Sequence, residues 1–227
     1  MINMKKALFI LGFIVLFLTI ANVVLAQQSG TKSNTVVVEV GNPPKDSSCP
    51  IPGAKLTCGT KDNPKGGCGH CNASYVSTWS YLADICKNEK SGLAYGLDVT
   101  GSSGTAADGT PALLPKANGK NVDWTFVEQE KGTSGFIQKY KGIDADSKSY
   151  WLQLHHTEYN SGVGNSTVGA TAKSGDTGGK ICCGESHVHV QLGTTDTNGV
   201  ITWQDPTQYF CQTNAEETHY TLTPAAR

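Results

Sequence analysis

His187 and His189 stand two residues apart in the run His187-Val-His-Val-Gln-Leu192. Apolar and polar positions alternate there, which predicts a strand. Residues i and i+2 of a strand face one side, so both imidazoles enter one space, with Cα atoms roughly 6–7 Å apart. One ring can then hold a metal while the other moves protons; the other reading of the pair is a solvated polar face. Further groups able to do such chemistry are Asp98 in Tyr95-Gly-Leu-Asp98, the doublet His155-His156, and His70 within Cys68-Gly-His-Cys71. The last tetrapeptide also occurs at the active sites of protein disulfide isomerases, which gives a thiol-disulfide oxidoreductase reading. In that fold it follows a buried strand and opens a helix. Here Thr60–Gly67, with its Pro, Gly and Lys residues, cannot form the strand.

The elements that must position these groups are mostly strands. Val122–Glu130, Gly135–Gly142 and Ser149–His156 read as successive strands, with 144–148 as the turn between the last two. Strict alternation puts His155 on the face opposite His156, pointing to the surface. Before them, residues 49–90 form a Cys-rich subdomain that starts as a Pro- and Gly-punctuated loop and ends in one helix. Asn72 is its candidate N-cap, and Tyr75, Trp79, Leu82 and Cys86 share one apolar face expected to pack against the main domain. The fold expected is mostly β: an antiparallel core over 91–205, preceded by the stapled helical subdomain and followed by an extension over 206–227.

Lys5 and Lys6 precede an apolar run from Ala7 to Ala26 that closes in Val24-Leu-Ala26. This predicts a cleaved secretory signal over 1–26, and a membrane partner only if the segment stays uncleaved. Residues 27–48 are read as a polar linker with one short strand at 35–40. Without the two leader lysines, 16 basic groups face 19 acidic ones. No basic cluster survives, which argues against nucleic acid as a partner. All eight cysteines follow the leader; an even number in an exported chain predicts disulfides, with 105 pairings open. A secreted or cell-envelope location follows.

Val168-Gly169, Gly175-Asp176 and then His187-Val-His189 keep the order and spacing of a closing motif, which resembles that of the lysostaphin-like (LytM-type) zinc endopeptidases. Tyr95-Gly-Leu-Asp98 is similar to the second half of that family's His-x-x-x-Asp motif, followed as in the family by Gly109-Thr-Pro and Asn118-Gly. Tyr150–His156 resembles its strand ending in Tyr-Ala-His-Leu. The resemblance spans about half of the chain beyond the leader and implies a duplicated-hybrid-motif type of sheet. It implies zinc held by Asp98 and His189, with His156 and His187 relaying protons, and the peptides of bacterial peptidoglycan as substrate, especially bonds involving Gly. The first ligand histidine of the family is replaced here by Ala94.

His70 is the substitute expected for that missing ligand. His156 and His187 hold the relay roles, His155 is expected to point away, and His219 lies in a polar tail. The competing reading is a catalytically inactive module on the same fold that binds peptidoglycan or a partner. After the core, one of Cys182 and Cys183 is expected to pair with Cys211.

Overall fold

The structure is a computed structural model that describes residues 48–101, 104–158 and 167–211, and the backbone of 216–217. The leader, most of the linker and His219 lie outside the described residues. No helix among the described residues is long and apolar enough to cross a membrane. The described residues fall in one compact unit.

The molecule is mostly β, as the alternation predicts. Its strands are β1 (Lys55–Cys58), β2 (Leu97–Thr100), β3 (Pro111–Leu113), β4 (Val122–Lys131), β5 (Phe136–Asp144), β6 (Ser149–Glu158), β7 (Thr171–Lys173), β8 (Thr177–Ile181), β9 (Val188–Thr195), β10 (Ile201–Gln204) and β11 (Glu216–Glu217). They join in the order β11-β1-β2-β9-β6-β5-β4-β7, with β10 on β9 and with β8 on both β3 and β6. Every pairing is antiparallel except the two-residue contact of β1 with β11. β1 belongs to this sheet, so the Cys-rich segment is continuous with the main domain.

The pleat sorts the side chains. On β9, Val188, Val190 and Leu192 enter the core, and on β6 so do Tyr150, Leu152 and Leu154. Trp124, Phe126 and Tyr140 complete this layer from β4 and β5. The opposite face of β9 and β6 carries His189, Gln191, Gln153 and His155, and there the candidate site lies.

The expected single helix is two. α1 (Ala73–Thr78) and α2 (Ala83–Lys87) are separated by a 3₁₀ turn at Ser80–Leu82. Asn72 caps α1 as predicted, its side-chain oxygen accepting from the Tyr75 N–H at 2.9 Å. The break falls at Trp79, with φ −119° and ψ 67°. Ser77 Oγ and Thr78 Oγ1 both donate to the Ser74 carbonyl, and such back-bonding competes with helix propagation. The segment returns to the sheet at Gly92, where an added Cβ would lie 2.5 Å from the Trp203 ring of β10.

All eight cysteines are paired: Cys49–Cys211, Cys58–Cys68, Cys71–Cys86 and Cys182–Cys183. The expected link from Cys211 to Cys182 or Cys183 is therefore replaced by one to Cys49, while the two neighbours bond to each other. Cys68 and Cys71 take different partners, and no buried strand leads into them. That removes the oxidoreductase reading, which needs these two thiols to bond reversibly with each other.

Candidate metal centre

Asp98 and His189 face each other directly across the β2–β9 ladder. His189 Nδ1 lies 2.9 Å from Asp98 Oδ1. His70 completes a triangle with them: its Nε2 is 3.3 Å from Asp98 Oδ1 and 3.2 Å from His189 Nδ1. The three residues are buried, at 2%, 9% and 3% exposure for His70, Asp98 and His189.

Short-range constraints put His70 there. The Cys58–Cys68 and Cys71–Cys86 bonds grip the chain on both sides of it. Its backbone N–H donates to the Gly59 carbonyl at 2.9 Å. Its ring Nδ1–H donates to the same carbonyl at 2.8 Å and to that of Gly96 at 3.2 Å. With the proton held on Nδ1, the Nε2 lone pair is turned to Asp98 and His189. Gly96 serves twice, because a Cβ there would lie 2.0 Å from His189 Cε1; only a residue with no side chain lets the ring stand where it does.

The donor set fits zinc. Tetrahedral ligands at about 2.0–2.1 Å from the metal are roughly 3.3 Å apart, close to all three sides of the triangle. Gln191 supplies a second test. Its Oε1 is buried without a partner while its Nε2 sits 3.2 Å from His189 Nε2. Turning the amide over, which leaves its shape unchanged, lets Oε1 accept from a protonated His189 Nε2. The His189 Nδ1 lone pair then faces the centre, as a ligand held by an outer hydrogen bond should. A cation between them would satisfy two imidazole nitrogens and a carboxylate that meet out of water; without one, protons on the imidazoles shared with Asp98 do so. Cys58 also lies close to His70 and Asp98, but its sulfur is bonded to Cys68 and cannot ligate as a thiolate.

Two more predicted residues border the triangle. His187 Nε2 is 3.7 Å from Asp98 Oδ1, and the His187 and His156 rings have centroids 4.8 Å apart. His156 Nδ1–H donates to the Ser134 carbonyl at 3.1 Å, leaving Nε2 as its basic nitrogen.

His155 departs from expectation. In place of an outward surface position, its ring stands 4.8 Å from that of His189 and lines the cleft. The ladder is regular as far as His155, which pairs with His189 and faces the site by plain alternation. A β-bulge follows, with Ile137 on His155 and Phe136 on Thr157, so His156 has no partner on β5 and lines the same cleft. His156 adopts φ 59°, and the Cys182 N–H donates to its carbonyl at 2.9 Å. Residues before and after a bulge exchange faces. Glu185, unremarked in the sequence, places Oε2 3.8 Å from His187 Nδ1, two residues ahead of it on the segment that leads into β9.

Charge and burial divide the histidines. Burial pushes the pKa of His70 down, but the Asp98 carboxylate beside it outweighs this and the net shift is upward. Burial pushes Asp98 up, and the adjacent His70 and His187 with the His189 hydrogen bond hold it well below the usual range. Burial, then the neighbouring His70, lowers His189 to about 4. His155 and His156 are also lowered, by burial first and then by the histidines around them.

The cleft above the triangle holds about 610 Å³. One wall comes from the α1–α2 segment and carries Tyr75, Trp79, Tyr81, Leu82 and Ile85; the stripe expected to pack on the main domain faces this space instead. The opposite wall is the β4–β5 hairpin.

No protein-family model matches the chain, and no curated protein does. Solved structures with a partial likeness include lysostaphin in solution, at TM-score 0.33 and 20% identity, over 50% of this chain and 41% of that one. Others are the catalytic domain of the antimicrobial peptidase lysostaphin from Staphylococcus simulans, at 0.33 and 22% over 52% and 78%, and CbpA from L. salivarius REN, at 0.29 and 17% over 49% and 69%. The alignment thus spans less than half of the first. At such scores the likeness assigns no activity, and the site's own atoms must carry the reading.

Proposed function

We propose that this chain is an exported zinc-dependent endopeptidase that hydrolyses peptide bonds of peptidoglycan. The observation that carries it is the triangle of His70 Nε2, Asp98 Oδ1 and His189 Nδ1. Zinc held by these three atoms would supply a Lewis acid with one open position for water or substrate. His156, protonated on Nδ1 by its bond to Ser134, offers Nε2 as the base that takes the proton of the attacking water. His187, beside it, passes a proton to the departing amine and holds charge that develops on the carbonyl oxygen. Glu185 Oε2 faces the far nitrogen of His187 at 3.8 Å and helps to orient its ring.

The substrate class is supported by the order of the three motif segments around Asp98, His156 and His187-Val-His189. The exported location is supported by four disulfides with no free cysteine among the described residues.

Zinc content and release of amines from purified peptidoglycan test the reading together. The parent should bind near one zinc and release amines; His70→Ala and His189→Ala should each lose both. A parent that takes up no zinc in excess metal removes the hydrolase and leaves a binding module on the same sheet.

A further inference from the structure

α1, α2 and the 3₁₀ turn between them bury none of their residues, yet the segment Tyr75–Ile85 carries five large apolar or aromatic side chains into the cleft. Tyr81 is 50% exposed and Ile85 41%. Core packing does not account for such a surface. The helix break adds to it. In an unbroken helix from Asn72, Tyr81 would stand about 120° around the axis from Tyr75. The turn at Trp79 brings Tyr81 over the same cleft as Tyr75 and Trp79. The Tyr75 ring lies 5.1 Å by centroids from Trp79 on one side and 5.1 Å from His70 on the other, so the wall runs without a gap to the metal triangle.

The facing wall has the opposite character. Glu130, Lys131, Thr133, Ser134 and Lys139 of the β4–β5 hairpin line it with donors and acceptors, around one apolar side chain, Ile137. A cleft with one aromatic wall and one polar wall matches a ligand with apolar ring faces and a polar rim. A pyranose has this form: axial C–H groups on its faces, hydroxyl and amide groups around its edge. A bulky apolar side chain would desolvate the lysines and glutamate without replacing their hydrogen bonds. A run of glycines would leave the aromatic wall uncovered.

We propose that this wall is a glycan subsite, in which Trp79 and Tyr81 stack on the face of an N-acetylated amino-sugar ring while the hairpin binds its rim. That the sugar carries the peptide to be cut rests on the hydrolase reading; that the wall takes a sugar does not. The enzyme would then act on peptide still attached to its glycan in preference to free peptide.

The test uses the metal-free full chain and the N-acetylglucosamine trimer, followed by calorimetry and tryptophan fluorescence. The parent should bind the trimer at millimolar concentration or below. Trp79→Ala and Tyr81→Leu should each weaken binding by about tenfold, the loss expected of one ring contact. Tyr81→Leu keeps an apolar side chain at an exposed position, so its loss reports stacking and not unfolding. With zinc present, Tyr81→Leu should abolish the preference for glycan-linked over free peptide. Trimer binding that is absent, or equal in parent and both variants, overturns the subsite, as does preferred binding of a phenylalanine-containing peptide. Trimer binding by a chain that takes up no zinc would uphold the subsite and remove the hydrolase.

Discussion

His70 Nε2 and His189 Nδ1 lie 3.2 Å apart although 119 positions separate them in the chain. β9 fixes His189 through a ladder of regular pairs. His70 belongs to no strand and depends on two disulfides and two carbonyls. The two halves of the centre should therefore fail differently. Cys58→Ser with Cys68→Ser should weaken zinc binding about 10- to 100-fold, the range for losing outer support of a ligand, without changing the stoichiometry. Competition with a chelator measures it, and an unchanged affinity would show that the disulfide does not hold His70.

Gly96→Ala is expected to displace the His189 ring, since its Cβ would fall 2.0 Å from Cε1, inside any allowed contact. Zinc should be lost while the chain stays folded, because the backbone there is extended and not left-handed. Zinc content beside a far-UV spectrum checks this. Full zinc occupancy in the variant would count against His189 as a ligand.

His156→Ala should lower kcat by about 10²- to 10⁴-fold while zinc content and KM hold, the pattern of a lost acid–base group. Loss of metal in this variant would move His156 from the relay into the ligand set.

The metal-free chain should lose stability as pH falls below about 6.5. His155, His156 and His189 are held neutral when folded, their pKa values pushed below the unfolded value, His189 to about 4. Protons therefore bind the unfolded chain first, and stability falls by up to about 1.4 kcal/mol per pH unit for each such histidine. Asp98, held low, adds its loss only below its unfolded value of 3.8. His70, raised, acts in another window: its contribution is complete below about 6.5 and is lost as pH rises through its folded value. Urea midpoints at pH 7, 6 and 5 would show the fall, and a flat profile would contradict it.

Local patterns made much of this legible. Alternation located β4, β5 and β6 to within a few residues, and the i, i+2 rule brought His187 and His189 to one side. His70 emerged because the other histidines had roles or lay elsewhere. What escaped were effects with no local signal. Cys49 meets Cys211 across 162 positions, and only the closed sheet brings them together. The Ser77 and Thr78 bonds that stop α1 compete with a helix whose apolar stripe reads as unbroken. Glu185 had no motif to mark it, though its place two residues before His187 was a readable cue.

The bulge at His156 shifts the phase of the pleat by one residue. A regular strand alternates its side chains and can offer one imidazole from a His-His doublet to a given space. This strand offers both, because the count of residues slips between them. The site is thus tuned by chain length as well as by residue type. The two residues between Leu154 and Thr157 are the histidines themselves, so a ladder made regular by removing either one would bring a single imidazole to the site.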